Sequence, residues 1–178
     1  LNLDLDTMKN LNEIGGSAFG HTSGTANNIV ATKLPERLTV LNDFAFLNCP
    51  NIRFVDFTQL TKMGNGYKCL GGCGKGTNAV KNIIVKAYTT GENGQKIVVV
   101  NKNAFGEYGN LSTVTFKYEN GETKLDPTIV SLMGFGSVTY IHDYSDYDER
   151  NDEYNNLINP TPGSEQTGDE TWEEIKND

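Results

Sequence analysis

Apolar positions along this chain recur as an edited phrase rather than as a steady helical or strand rhythm. Leu11-x-x-Ile14-x-x-x-Ala18-Phe19, Leu38-x-x-Leu41-x-x-x-Ala45-Phe46 and Ile97-x-x-Val100-x-x-x-Ala104-Phe105 share one spacing. A second phrase follows, with offsets of three and then two: Ile29-x-x-Thr32-x-Leu34, Ile52-x-x-Val55-x-Phe57, Val80-x-x-Ile83-x-Val85, Leu111-x-x-Val114-x-Phe116 and Phe135-x-x-Val138-x-Tyr140. These five copies start 23, 28, 31 and 24 residues apart, a period that marks a solenoid built from stacked coils. The third unit keeps Leu60-x-x-Met63 but carries Tyr67-Lys68-Cys69-Leu70 where the others have Ala-Phe, so it is the degenerate copy.

The last two residues of each five-copy triad are two apart and rich in Val, Ile and Phe, as a strand with one buried face requires. Short strands are therefore predicted at 30–34, 53–57, 82–86, 113–117 and 137–141. Ala-Phe is expected at a bend, where the small residue lets the chain turn inward and the ring fills the space between coils. One coil cannot bury both its strand face and its Phe, so stability depends on stacking. Extra residues then become loops on the outside of the stack: 20–28 in the first unit, the glycine-rich 64–76 in the third, and 89–96 in the fourth. The last contains Asn93-Gly94 and predicts a hairpin between Val85-Lys86-Ala87-Tyr88 and Ile97-Val98-Val99-Val100.

If the triad residues point inward, the residues between them line an exposed sheet face. That assigns Phe54, Asp56, Ile84, Lys86, Thr115 and Lys117 to a candidate binding surface, with Phe54 and Ile84 as its apolar members. An exposed aromatic beside an aliphatic is the kind of anchor that protein interfaces use.

The run from Leu34-Pro35 through Ala45-Phe46 to Cys49-Pro50-Asn51-Ile52 resembles the BspA-type leucine-rich repeat, as does Ile14-Gly15-Gly16-Ser17-Ala18-Phe19. That family's unit opens on Leu/Ile-Pro, centres on Ile-Gly-x-x-Ala-Phe and places a Cys before the next Leu. The resemblance covers residues 1–141 and implies a leucine-rich-repeat solenoid, a right-handed β/α superhelix that is strand-rich, with few and short helices and about five coils. It further implies a secreted or cell-surface bacterial module, extracellular and non-enzymatic, that mediates adhesion or protein recognition of host or matrix components. Two other readings stay open: a structural spacer or interaction domain of a larger surface protein, and a glycan-binding module, for which Tyr67, Tyr88, Tyr108 and Tyr118 are the visible aromatics.

Charge adds a boundary. Residues 142–178 hold 12 Asp or Glu against two Lys or Arg, while residues 1–141 hold 11 against 13. The formal net charge of -8 therefore belongs to the C-terminal segment, read as an acidic extension that is either a linker or a cap carrying Tyr144, Tyr147, Tyr154 and Trp172. A near-neutral repeat region beside an acidic tail gives no footprint for nucleic acid. No apolar run approaches the roughly 20 residues that span a bilayer.

Candidate chemistry is sparse, and no cofactor is expected. Cys69 and Cys73 flank Leu70-Gly71-Gly72 and are candidates for a loop disulfide in a secreted protein; Cys-x-x-x-Cys without a second pair is weak ground for zinc. Cys49 is expected as a small buried thiol. Gly71-Gly72-Cys73-Gly74-Lys75-Gly76-Thr77 imitates a phosphate-binding loop, but Gly76 separates Lys75 from the hydroxyl and position 69 is not Gly. His21 and His142 stand outside any recognisable nucleophile, metal or acid-base constellation.

Overall fold

The structure is a computed structural model that describes residues 5–21, 29–119 and 121–144. All of these lie in one compact unit, residues 1–145. The expectations for the insert at 22–28 and for the acidic segment after residue 144 lie outside the described residues.

The chain is strand-rich and winds as a β-solenoid of about five turns, with parallel ladders running along the stack. One ladder holds β3 (Asp56–Phe57), β5 (Asn82–Lys86), β8 (Thr113–Tyr118) and β9 (Thr139–Tyr144), in the order β3-β5-β8-β9. An isolated parallel bridge from Ala31 to Ile52 stands ahead of these strands in the chain. Four of the five predicted strand regions thus contain a strand, and β9 runs three residues past the predicted end, to Tyr144. The 30–34 region contributes only its bridge.

A second ladder was not read from the sequence. β1 (Glu13–Ile14), β2 (Val40–Leu41) and β4 (Lys62–Met63) pair in parallel, and Met63 bridges on to Val100. The recurring Leu-x-x-Ile spacing is therefore a strand position in its own right: Ile14, Leu41, Met63 and Val100 are stacked rungs, each at most 2% exposed. Two-residue strands carry too little alternation to be seen as strands. The expected hairpin is present in shorter form, as β6 (Tyr88–Thr90) antiparallel to β7 (Lys96–Val98), with Tyr88 opposite Val98.

At the Ala-Phe bends the backbone itself forms a ladder. Phe19 N–H donates to the Ala45 carbonyl at 2.9 Å, Phe46 N–H to Cys69 at 2.9 Å, Cys69 N–H to Ala104 at 3.1 Å and Phe105 N–H to Met133 at 3.1 Å. Cys69-Leu70 thus takes the place of Ala-Phe in the degenerate third coil, and Met133 takes the place of the Ala in the fifth. The residue before each Ala adopts a left-handed backbone, at Ser17 (φ 57), Phe44 (φ 58) and Asn103 (φ 58), which turns the chain inward at a conformational cost greatest for Phe44. Asn42 and Asn101, each one residue past a rung of the second ladder, donate side-chain N–H groups to the carbonyls of Ile14 (3.1 Å) and Gly64 (2.6 Å) in the preceding coil.

A column of rings fills the interior. Phe19 stacks on Phe46 at 5.3 Å, Phe46 meets Phe54 edge-on at 5.6 Å, and Phe54 meets Phe57 at 6.2 Å. The chain of contacts continues from Phe57 to Phe105 and from Phe105 to Phe135, both at 5.0 Å. The fifth coil contributes the short helix α1 (Pro127–Leu132), whose start is fixed by Pro127 and by the Asp126 carboxylate accepting the Thr128 N–H at 2.7 Å.

Candidate functional site

The outward face of the β3-β5-β8-β9 sheet is ordered in rungs. Asp56, Ile84, Thr115 and Ile141 form one row across the four strands; Lys86, Lys117 and Asp143 form a second; Asn82, Thr113 and Thr139 form a third. Side chains alternate along β5 and β8, so Ile83, Val85, Val114 and Phe116 enter the core and these rows face out. Five of the six sequence-predicted surface residues are therefore gathered on one sheet: Asp56, Ile84, Lys86, Thr115 and Lys117.

Phe54 is the exception and corrects the reading. It is 0% exposed, packed against Phe46 and Phe57, and its carbonyl accepts the Tyr108 hydroxyl at 2.5 Å. Strict alternation holds only in β3 itself, Asp56–Phe57; before it the backbone turns so that Ile52 and Phe54 both face in and Val55 faces out, 51% exposed. Thr32 likewise faces outward although its place in the triad predicted burial. Ile52-x-Phe54 has the same period-two spacing as Val55-x-Phe57, and the bulkier ring claims the core.

Val55 and Ile141, the latter 47% exposed, join Ile84 around a shallow depression of ≈ 800 Å³ that also touches Arg53, Asn82 and Thr115. Neither residue was placed on this surface by the sequence: Val55 was assigned inward, and Ile141 ends a predicted strand whose neighbours were unknown. The signal for Ile141 was its spacing from Tyr140, which faces the interior against Phe116.

Two cations stand in the row beside Ile84 and Thr115. Lys86 and Lys117 are directly opposed across β5 and β8, an arrangement that repels. Each is neutralised separately, Lys86 by Glu119 at 2.6 Å and Lys117 by Asp143. The hydrogen bond from Lys86 holds the Glu119 carboxyl below its usual range. On the hairpin, Lys96 reaches the shielded carboxylate of Glu122 at 2.9 Å, which raises the Lys96 ammonium.

The expected Cys69 to Cys73 bridge is not formed. All three cysteines are free and buried, and the two thiols point to different places: Cys69 Sγ lies toward the Leu41 carbonyl at 4.0 Å, Cys73 Sγ donates to Phe46 at 2.8 Å. The turn at Leu70 separates them. Burial pushes the Cys69 thiol up to about 12, with Asp43 adding to the shift.

The tyrosines named for glycan binding do not cluster. Tyr108 and Tyr118 are 3% and 2% exposed, Tyr88 is half-buried against Tyr118, and Tyr67 alone of the four is exposed, beside Phe44 at 5.3 Å. His142 points inward from β9, its ring stacked on Phe116 and its Nδ1 2.9 Å from the Tyr118 hydroxyl. Among the described residues no group of three His, Cys, Asp or Glu side chains could hold a metal ion, and no helix is long and apolar enough to cross a membrane.

Comparison with protein-family models, with curated proteins and with solved structures finds no match. Functional inference therefore rests on the sheet face itself.

Proposed function

We propose that this chain is a non-enzymatic leucine-rich-repeat module of the BspA type, secreted or displayed on a bacterial surface, that recognises a protein of the host or its matrix through the β3-β5-β8-β9 face. The observation that carries this reading is the depression lined by Val55, Ile84 and Ile141, with Thr115 between the two isoleucines, Asp56 at the end of that row and Lys86 and Lys117 in the row beside it. Parallel stacking keeps these side chains at fixed spacing, so little ordering is needed on contact. Leucine-rich-repeat membership is supported by the Leu-Pro, Ala-Phe and Cys49 phrase together with the repeat length. The scattered and buried tyrosines favour a protein partner over a glycan.

The test is binding of the full chain to a panel of immobilised extracellular-matrix proteins and glycans, in parallel with an Ile84→Asp, Ile141→Asp variant. The reading expects saturable binding to a protein and at least a tenfold loss in the variant, whose circular dichroism is unchanged. Binding indifferent to both substitutions, or none to any protein on the panel, would overturn it.

A further inference from the structure

Cys49 and Cys73 occupy the same position in consecutive coils. Each lies three residues after the bend, and each donates its backbone N–H to the residue three back: Cys49 to Phe46 at 3.2 Å, Cys73 to Leu70 at 3.0 Å. Each thiol then reaches one coil back to the corresponding carbonyl, Cys49 Sγ to Phe19 at 3.2 Å and Cys73 Sγ to Phe46 at 2.8 Å. The Phe46 carbonyl thus receives both the Cys49 N–H and the Cys73 thiol. The Cys73 sulfur can lie no farther from the Cys49 nitrogen than those two contacts laid end to end.

Residues at one position of adjacent coils sit about 4.7–4.9 Å apart when their backbones pair as strands do. Disulfides need Cα atoms about 4.4–6.8 Å apart. The stack therefore supplies the separation that a bridge requires, and the Cys73 thiol is already directed at the coil that carries Cys49, onto the Phe46 carbonyl that also accepts the Cys49 N–H. Cys69, directed to Leu41 and the Gly64 turn, shares none of this.

We propose that Cys49 and Cys73 form a disulfide site that staples the second coil to the third, closed by thiol–disulfide exchange with a small disulfide oxidant such as oxidised glutathione. One thiolate attacks the oxidant's disulfide, giving a mixed disulfide and releasing one glutathione thiolate. The second thiolate attacks the protein sulfur of that mixed disulfide and releases the other. Two protein thiols thereby lose two protons and two electrons, and the oxidant becomes two thiols.

Burial holds both sulfurs away from solvent and raises the Cys73 thiol, so neither is an effective nucleophile in the closed fold. Closure belongs to folding, or to opening of the 71–76 segment, where Gly72, Gly74 and Gly76 hold left-handed backbone (φ 78, 65 and 93).

The full chain and its Cys69→Ser variant are refolded from denaturant with oxidised glutathione, blocked with an alkylating reagent in denaturant, and mapped without reduction. The site predicts one free thiol in the wild type, none in Cys69→Ser, a cross-linked Cys49 and Cys73 peptide in both, and a higher melting temperature for the oxidised than for the reduced Cys69→Ser protein. It also predicts that the already folded, reduced chain reacts at least tenfold more slowly. A bridge involving Cys69, three free thiols after oxidative refolding, or only intermolecular dimers would each refute it.

Discussion

Lowering the pH should destabilise this solenoid through His142, and the effect can be worked from the ring's surroundings. The Leu125 N–H donates to the Tyr118 hydroxyl at 3.1 Å, and the same hydroxyl lies 2.9 Å from His142 Nδ1. The hydroxyl can donate to Nδ1 only while that nitrogen carries no proton. Protonating the ring would place a charge in a partly buried site, stacked on Phe116 and tilted against Tyr118.

Burial and the nearby Lys124 ammonium together hold the imidazole down at about 4, against an ordinary value of 6.5. The unfolded chain binds this proton before the folded one does, so the contribution is complete above about pH 6.5 and is lost as pH falls toward 4. A fully shielded group with this shift would contribute roughly 3 kcal/mol; screening of a half-exposed ring reduces that to about 1–2 kcal/mol. For a domain of this size that is roughly 2–8 °C in melting temperature.

The assay is chemical denaturation of the wild type and His142→Asn at several pH values between 7 and 4. Carboxylates titrate in both proteins, so the difference between them isolates the histidine. The reasoning requires the wild type's margin over the variant to shrink by about 1–2 kcal/mol across that window. A margin that does not change, or an imidazole titrating at 6.5 or above by NMR in the folded protein, would refute it.

Other expectations follow from the same packing. Phe57→Ala removes the ring that meets Phe54, Phe105 and Tyr108 and should cost about 3–5 kcal/mol in denaturant unfolding. Asp43→Ala should cost about 1–3 kcal/mol by the same measurement, because Asp43 Oδ1 accepts the Asn65 N–H at 2.6 Å and the Tyr67 N–H at 3.3 Å and so holds the Gly64 turn. Gly134→Ala should lower the melting temperature, since Gly134 has φ +89 and an added Cβ would meet the Gly106 nitrogen at 2.8 Å. Breaking the exposed pair of Lys68 and Glu107 with Lys68→Ala should change stability by less than about 1 kcal/mol, and less still in high salt.

The candidate face was legible where the strand was long enough to alternate. Along β5 and β8 period two alone assigned Ile84, Lys86, Thr115 and Lys117 to the outside. It failed at Phe54 and Val55, because residues 52–55 are not in a regular strand and nothing local decides which of two overlapping alternations prevails. The ring wins through Phe46, which lies in the same coil, and Tyr108, whose hydroxyl fixes the Phe54 carbonyl from another; neither neighbour is visible from the local sequence. The three cysteines divide in the same way. Closeness in sequence suggested Cys69 and Cys73, whereas stacking aligns Cys73 with Cys49 across one coil.

The repeat phrase by itself determined that the chain must stack, how many coils it makes and where most of its long strands lie, because these depend on spacing and on the inability of one coil to bury its own apolar face. Tertiary structure alone decided which residue faces out where alternation lapses, that Leu-x-x-Ile forms a ladder of its own, and where each thiol is directed. Those outcomes depend on the register between coils. Register is set by contacts between residues about 20 to 30 apart in the chain, to which a local pattern is blind.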